Sequence, residues 1–466
     1  MSDSTDPAGS TVRSATANPS GGRGQIAAVQ RSVTNALARS GRMGFVSRIY
    51  FRYRRFSKHL AILAAVIGPG VIVMVADNDA GGITTYMLSG AYYRYSFIWI
   101  VLLLGPVAYV CQEMTVRLGV MTKRGHAQAI FEAFGPFWGW FSLSDLTLTD
   151  CLTITTEFIG MTMAMAVFGI PPLFTEIVVI TFIMLMLING RYWTWEKIVL
   201  AICAVNMIYV PVVFFIHPNV SDIFRTGVVP GFPEGLGGPV IFLLMATIGT
   251  TIAPWMIFFQ QSSVVDKGLK KRDVPYARWD TAIGSTFTVI TAVALIIIAT
   301  LFFGGDMSLT SAGQAAGLLM AIHPWVGTIL AIGLFDAGLI GALSVSLASS
   351  WAVGEVFGWS HSLNDRLGQA KWFNVFRLSI MCIAGSIVLI PGAPLGLITL
   401  FVQVIAVTLL PAALVFLIVL LNQEELVGSY KNTRAQNIMA GTIVGALLAL
   451  STLYAVGTIL PKLFGG

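Results

Sequence analysis

The sequence predicts an all-α integral membrane protein with eleven transmembrane helices. Of its 466 residues, 56% are hydrophobic and 11% are charged, and the mean hydropathy is +0.80. Soluble proteins carry roughly 25% charged residues. A bilayer-crossing helix needs about 20 apolar residues. Apolar runs of about this length or longer cover residues 60–91, 96–118, 143–168, 173–189, 196–217, 238–263, 281–304, 324–356, 373–391, 394–422 and 436–461.

The distribution of positive charge predicts the orientation. With the N-terminus inside, all but three of the 28 Lys and Arg residues fall on cytoplasmic segments, the exceptions being Arg94, Arg225 and Lys462. Cytoplasmic loops of membrane proteins carry such an excess. We therefore expect a multi-pass plasma-membrane protein with a cytoplasmic N-terminus and an extracellular C-terminus. The net charge of +6 needs no nucleic-acid partner to explain it.

The chain begins with a segment unlike the rest. Residues 1–45 are rich in Ser, Thr, Gly, Ala and Arg and contain no apolar run of the signal-peptide kind. This composition predicts a disordered cytoplasmic tail, followed by a transmembrane domain over 46–466. Basic and aromatic residues alternate over 48–58. They are typical either of a helix on anionic lipid or of an ordinary topology-setting flank.

The first apolar run is interrupted by charge. Residues 68–82 contain Asp77 and Asp79 in an otherwise apolar stretch, followed by Gly81 and Gly82. A carboxylate at bilayer depth costs several kcal/mol, so it marks a functional site. The glycines allow the helix to unwind and expose carbonyl oxygens. Carbonyl and carboxylate oxygens together favour a hard cation. The pattern predicts an intramembrane site for a metal ion.

A second interruption lies five runs later, at Pro254. Proline cannot donate to the helix ladder and displaces the carbonyl four residues earlier, so we expect the backbone to open near Thr250. Broken segments at corresponding positions of two halves indicate inverted repeats. The sequence therefore predicts a LeuT-like architecture, with spans 1–5 and 6–10 as the repeats and helices 1 and 6 unwound in the membrane. Two unrelated kinks are the alternative.

At these residues the chain resembles the Nramp family of divalent metal transporters. The resemblance extends from Gly68 to about Pro411. The segments that carry it are Gly68-Pro69-Gly70 followed after eight residues by Asp79-Ala80-Gly81-Gly82, the tract 112–122, Glu157-Phe158-Ile159-Gly160, Gln403-Val404 and Leu410-Pro411. Each of these motifs is weak alone, but together they are specific.

The departures from the family pattern are equally informative. Ala253 stands where the family has a coordinating methionine, and Trp255 where it has a proton-linked histidine. Gly82 replaces the metal-binding asparagine, and Ile154 replaces an aspartate on helix three. This pattern resembles the Nramp-related magnesium transporter branch. That resemblance implies transport of Mg²⁺ without proton coupling.

The expected ion site combines the family positions with the chemistry of oxygen ligands. Thioethers favour softer transition metals, whereas Mg²⁺ demands near-octahedral oxygen coordination and releases its waters reluctantly. A site without Asn and Met is larger and admits a partly hydrated ion. The positions assigned to it are Asp79, Gly82, Thr250, Ala253, Gln403, Ala76 and Asp77. For Asp77, an equal alternative to binding the ion is capping of the helix that begins again after the break.

Other polar residues lie in the predicted spans. Asp150, Thr153 and Glu157 are spaced to share one helical face. The face predicts either the lining of an aqueous vestibule, which we favour for Glu157, or interhelical packing. Asp336 is either a second polar contact or part of a structural pair.

The function predicted from the sequence is a secondary carrier of Mg²⁺, with Mn²⁺ possible, that works by alternating access without proton coupling. The nearest alternative is a proton-coupled Mn²⁺ or Fe²⁺ importer. An amino-acid or sodium symporter on the same fold is disfavoured because two aspartates would repel a substrate carboxylate. The chain has neither a His-Glu-x-x-His motif nor a Walker A loop, so an enzyme is not expected. No cofactor is expected, and the partners are the metal ion and the lipid bilayer. The oligomeric state is left open.

Overall fold

The computed structural model describes residues 62–188, 191–232, 235 and 237–459, and the statements below concern these residues. Residues 65–466 form one unit. The predicted tail over 1–45 and the basic flank over 48–58 lie outside the described residues. Within the described ranges the secondary structure is entirely helical, without a strand. The predicted all-α class is thereby confirmed for this part of the chain.

The principal helices follow one another with short connections. In chain order they are α1 (Pro69–Ala76), α2 (Ala80–Tyr93), α3 (Ile98–Thr122), α4 (His126–Phe134), α5 (Pro136–Ala166), α6 (Pro172–Ile188), α7 (Tyr192–Asn206), α8 (Tyr209–Ile216), α9 (Gly238–Thr251), α10 (Pro254–Asp266), α11 (Val274–Phe303), α12 (Ala312–Ile322), α13 (Pro324–Phe357), α14 (Lys371–Val388), α15 (Leu395–Asn422) and α16 (Arg434–Tyr454). Short helical turns lie at Arg94–Phe97, Val220–Asp222, Ile223–Gly227, Lys271–Asp273, Glu424–Val427, Gly428–Tyr430 and Ala455–Ile459.

Eight helical stretches of the described chain are long and apolar enough to cross a membrane. They are Ala80–Thr122, Tyr192–Ile216, Gly238–Asp266, Lys271–Phe303, Pro324–Phe357, Lys371–Val388, Leu395–Asn422 and Arg434–Gly457. The first contains α2 and α3, which belong to two predicted spans. Helix α5 is 31 residues long but carries three carboxylates, and α6 is among the shorter apolar helices. The number of eleven crossings stays a prediction.

Both parts of the first broken span, α1 and α2, pack closely against α11. A Cβ atom added to Gly70 would lie 2.6 Å from the Thr281 nitrogen, and one on Gly284 would lie 2.7 Å from the Gly70 carbonyl oxygen. One on Gly90, in α2, would lie 2.4 Å from the Ile296 carbonyl oxygen. Small residues permit such approach between apolar helices. Helix α11 is therefore the scaffold that holds α1 and α2.

A carboxylate from α11 caps the start of α1. The Asp280 carboxylate accepts hydrogen bonds from the backbone nitrogens of Gly68 (3.1 Å), Gly70 (2.7 Å) and Val71 (3.1 Å). These are the nitrogens that a helix N-terminus leaves without intrahelical acceptors. Negative charge at this end also complements the helix dipole. The Gly68-Pro69-Gly70 motif is therefore a tertiary anchor for α1.

The residues just before α1 are held by a buried ion pair. The Lys267 ammonium donates to the carbonyl oxygens of Val66 and Ile67, each at 2.9 Å, and pairs with Glu196 at 2.7 Å. Because both charged side chains are almost fully buried, each depends on the other for compensation. The beginning of α1 is thus fixed to α7, α10 and α11 together.

Candidate metal-ion site

The first helix break lies between α1 and α2. Helix α1 ends at Ala76 and α2 begins at Ala80. Asp79 is the N-cap of α2, and its carboxylate accepts a 2.6 Å hydrogen bond from the Gly82 nitrogen. The capping role considered for Asp77 therefore belongs to Asp79, because an N-cap side chain reaches only the first turn that follows it.

A pair of asparagines holds this break in place. The Asn78 amide donates to the Thr288 carbonyl on α11 at 3.1 Å. In turn, the Asn78 carbonyl accepts from the Asn206 amide on α7 at 3.2 Å. These bonds occupy polar groups of a non-helical segment that would otherwise be costly to bury. Neither residue was expected from the sequence to contribute.

The second break lies between α9 and α10. Helix α9 ends at Thr251, and α10 begins at Pro254. Ile252 and Ala253 between them are extended, with φ of −145° and −106°. The Ala253 nitrogen donates to the Met256 sulfur at 3.3 Å. A methionine three residues beyond Ala253 thus already has a hydrogen-bonding role within the first turn of α10.

The two breaks meet at Gly82. A Cβ atom added there would lie 2.9 Å from the Thr250 hydroxyl, 3.0 Å from the Asp77 carbonyl oxygen and 3.5 Å from Asp79 Oδ1. A side chain at this position would therefore collide with oxygen atoms of both breaks. The absence of a side chain at Gly82 allows these oxygens to lie close together.

Helix α15 adds an amide to the same place. A Cβ atom on Gly81 would lie 1.9 Å from Gln403 Nε2 and 3.1 Å from Asp79 Oδ1. Rotation of the amide by 180° presents its oxygen instead, since the two orientations fill the same volume. Gly249 of α9 allows close approach to the backbone of the same residue, because an added Cβ would lie 2.0 Å from the Gln403 backbone carbonyl oxygen.

Unsatisfied polar atoms surround these glycines. Asp77 Oδ2, Thr250 Oγ1 and Gln403 Nε2 are buried and have no hydrogen-bond partner among the described residues. Such orphaned groups are rare in folded proteins and call for an explanation such as a bound ion or water. The structure thus brings together Asp79, Thr250, Gln403 and the Asp77 carbonyl around Gly82. Of the other assigned positions, Ala76 is the last residue of α1 and Ala253 lies in the second break, and a ligand role for the carbonyl near Ala76 stays a prediction.

Glu157 of α5 also belongs to this site. Its Oε2 atom accepts from the Ala80 nitrogen at 3.0 Å, which places the carboxyl group beside Asp79. Gly341 of α13 closes the pocket, because an added Cβ would lie 2.6 Å from Glu157 Oε2 and 3.1 Å from Asp79 Cβ. Glu157 is fully buried, so the structure places it against the first break rather than in an aqueous lining.

The face predicted for Asp150, Thr153 and Glu157 has separate contacts. Asp150 accepts from the Ser349 hydroxyl of α13 at 2.5 Å, and Thr153 O accepts from Thr156 Oγ1 at 2.7 Å. The Asp150 contact corresponds to the packing alternative, whereas the Thr153 contact lies within α5. Asp336 is buried with Oδ2 unpaired in the described part of the chain, which leaves both of its interpretations open.

The chemistry of the site suits a hard divalent cation. Each group named around Gly82 offers an oxygen atom as a ligand for an ion, provided that the Gln403 amide is rotated by 180°. Two carboxyl groups in contact repel one another when both are charged, and a cation between or beside them relieves that repulsion. Within the described ranges, no group of three or more His, Cys, Asp or Glu side chains could hold a resident metal.

The sequence is similar to a known family over most of its length. Residues 70–456 match the profile described as "Nramp: Natural resistance-associated macrophage protein-like". The chain is 25% identical over 405 residues to the divalent metal cation transporter MntH of Klebsiella pneumoniae strain 342, covering 85% of this chain and 95% of that protein. It is 26% identical over 422 residues to MntH of Staphylococcus saprophyticus, covering 84% and 92%.

Solved structures share the fold. The manganese transporter of Eremococcus coleocola, in complex with an aromatic bis-isothiourea compound, superposes with a TM-score of 0.74 at 20% identity, covering 88% of this chain and 89% of that one. Mhp1, a nucleobase-cation-symport-1 family transporter in a closed conformation, superposes with a TM-score of 0.51 at 11% identity, covering 84% and 93%.

Proposed function

The chain belongs to the Nramp family, and we propose that it is a secondary transporter that carries divalent metal ions across the plasma membrane by alternating access. Relatives aligned over more than 90% of their length are named divalent metal cation transporters, and the fold is that of a manganese transporter. The observation that carries the proposal is the set of oxygens around Gly82. Asp79 lies there beside Thr250 and Gln403, whose polar atoms lack partners within the described ranges.

The proposed topology has eleven crossings with the N-terminus inside. Helices α1–α2 and α9–α10 would be the first spans of two inverted repeats, each interrupted at the ion site. The charge distribution supports this orientation. Cysteines introduced at Arg94 and Arg366 test it, because a membrane-impermeant thiol reagent should label the first from outside intact cells and the second only after permeabilisation. Labelling of Arg366→Cys from outside would reverse the topology.

We infer further that the preferred ion is Mg²⁺, with Mn²⁺ as a second substrate. The support is the absence of a thioether from the position of Ala253, together with the engagement of the Met256 sulfur by the Ala253 nitrogen. Oxygen donors suit Mg²⁺, whereas sulfur suits softer ions. The alternative is the proton-coupled import of Mn²⁺ or Fe²⁺ typical of the family.

Proteoliposome flux distinguishes these substrates. Uptake of Mg²⁺, Mn²⁺ and Ca²⁺ is measured at equal concentrations, with a matched preparation lacking protein as the blank. Mg²⁺ uptake that Mn²⁺ inhibits competitively is the expected result. Uptake of Mn²⁺ without Mg²⁺ would favour the alternative and reject our inference, while leaving divalent metal transport in place.

Proton coupling is not part of the proposed mechanism. Trp255 and Ile154 stand where the family has titratable groups, and Trp255 packs against Phe259 with ring centroids 5.9 Å apart. Two charges moving through 100 mV supply about 4.6 kcal/mol, which can drive uptake without protons. Glu157 is the titratable group that lies beside Asp79 at the first break.

That position makes Glu157 the residue to test. Luminal pH is recorded during Mg²⁺ uptake by the wild-type protein and by Glu157→Gln, a variant that keeps an oxygen acceptor for the Ala80 nitrogen. We expect no acidification in either preparation. Acidification proportional to flux in the wild type, lost in Glu157→Gln, would establish coupling through this carboxyl group.

A further inference from the structure

A groove lies between α3 and α11, away from the ion site. It encloses about 400 Å³. Its lining is largely apolar and includes Leu102, Pro106, Ala282, Val289 and, at one end, Tyr109. Leu102 is 41% exposed, so the groove opens on the outer surface of the helical unit. In a membrane that surface faces lipid.

The local sequence shapes the seam between the two helices. Pro106 lies inside α3 and lacks a backbone N–H, so the helix is disturbed at that turn. Gly105 next to it has no side chain, and its carbonyl accepts a 2.8 Å hydrogen bond from Ser285 of α11. A Cβ atom added to Gly105 would lie 2.6 Å from Val289 Cγ2, so the helices pack closely here and the groove follows the seam on their outer side.

The groove continues into a polar pocket. A second cavity of about 260 Å³ shares Tyr109 and is also lined by Glu113, Arg278 and Gln436, where α3, α11 and α16 meet. From Leu102 to Glu113 the rise along α3 is about 16 Å, at about 1.5 Å per residue. The hydrocarbon core of a bilayer is about 30 Å thick. The combined groove therefore spans one leaflet, with its polar end near one surface.

That polar end carries a surplus of positive charge. The Glu113 carboxylate forms ion pairs with two guanidinium groups, those of Arg117 at 2.9 Å and Arg278 at 2.7 Å. Arg117 is buried and also donates to Asn432 at 2.8 Å, whereas the Arg278 side chain is 41% exposed. One carboxylate thus serves two guanidinium groups, and the exposed one remains available to an anion. Trp279, 65% exposed, adds an aromatic side chain of the kind found at membrane surfaces.

We propose that this groove binds an anionic phospholipid of the cytoplasmic leaflet. One acyl chain lies along the apolar part between α3 and α11, and the phosphate group contacts Arg278. Basic pockets between helices on the cytoplasmic side recognise such headgroups, and the preceding residues Lys270, Lys271 and Arg272 add to the local attraction. The leaflet rests on the orientation proposed above, whereas the binding chemistry does not depend on the transported ion.

Native mass spectrometry of the delipidated full-length protein tests the site. The protein is titrated with dioleoyl-phosphatidylglycerol or dioleoyl-phosphatidylcholine at equal concentrations. We expect retention of the anionic lipid to exceed that of the zwitterionic lipid by several-fold. Arg278→Gln should lose this preference and Arg278→Lys should largely keep it. Arg366→Gln removes one charge from an exposed loop and should behave as the wild type.

A second pair of variants tests the acyl-chain part. Ala282→Phe fills the groove and should lower retention of phosphatidylglycerol several-fold, whereas Leu103→Phe, at a 56% exposed position beside the groove, should not. Thermal unfolding in detergent shows whether each variant is folded. Equal retention of the two lipids by the wild type would overturn the proposal. So would an unchanged preference in folded Arg278→Gln, or displacement of the lipid by an equal concentration of inorganic phosphate.

Discussion

The two helix breaks differ in what they contribute to the site. The first, between α1 and α2, contains charge and is tied to α5, α7 and α11 by side-chain hydrogen bonds. The second, between α9 and α10, is apolar at Ile252 and Ala253. Its Ala253 nitrogen donates to the sulfur of Met256 in α10. The first break supplies the electrostatic attraction for a cation, while the second supplies the Thr250 hydroxyl. Substitutions in the two breaks should therefore affect different properties.

The largest effect is expected at Asp79. Asp79→Asn keeps an acceptor for the Gly82 nitrogen but removes the charge, and it should lower Mg²⁺ uptake roughly a hundredfold or more, since losing one member of a buried charge pair costs about 3–5 kcal/mol. Proteoliposome uptake measures this change. Asp77→Asn is the matched control and should retain measurable transport. Equal rates for Asp79→Asn and the wild type would remove the first break from the ion site.

The anchoring of the first break can be tested at Asp280. Asp280→Asn turns one acceptor oxygen into a donor that faces backbone N–H groups at the start of α1. We expect the free energy of unfolding to fall by about 2–4 kcal/mol, as for buried groups that lose charged hydrogen-bond partners. Denaturant unfolding in detergent provides the value. Asp273→Asn, at a partly exposed position, should change it by less than about 1 kcal/mol. Similar values for both variants would show that the cap contributes little.

Selectivity should respond to the second break. Ala253→Met restores a thioether, and the ratio of Mg²⁺ to Mn²⁺ uptake should fall about tenfold because sulfur favours the softer ion. Ala253→Val adds bulk without sulfur and separates the effect of volume. Gly82→Asn should shift the ratio in the same direction as methionine. A ratio that stays constant in the Gly82→Asn, Ala253→Met double variant would exclude coordination as the basis of selectivity.

The smallest effect is expected at the sulfur cap. Met256→Leu removes the acceptor for the Ala253 nitrogen while keeping an apolar side chain of similar volume. Because a thioether is a weak acceptor, we expect a loss of at most about 1 kcal/mol in the free energy of unfolding. Transport should be unchanged. A loss as large as that of Asp280→Asn would mean that the second break is held as firmly as the first.

The composition and local chemistry of the chain determined its helical class and the residue types of the site. Apolar runs far longer than soluble helices predicted the membrane class. Helix boundaries at Ala76 and Pro254 follow from features within a few residues, namely carboxylates, glycines and a proline. Asp79, Thr250 and Gln403 were assigned as site residues from family motifs, and the structure brings them together. The sequence did not decide whether Asp77 or Asp79 caps α2, because both carboxylates lie within one turn of the point where that helix begins.

The tertiary structure alone decided which distant groups complete each break. Asp280 caps Gly68 across 212 residues, and Glu157 reaches Ala80 across 77. Helical periodicity shows which residues share a face, as it did for Glu157, but it does not show which helix that face will meet. That choice depends on close backbone contacts at Gly70, Gly284 and Gly341, where an added methyl group would collide with its neighbour. Since such contacts depend on the simultaneous packing of several helices, no local pattern in the sequence encodes them.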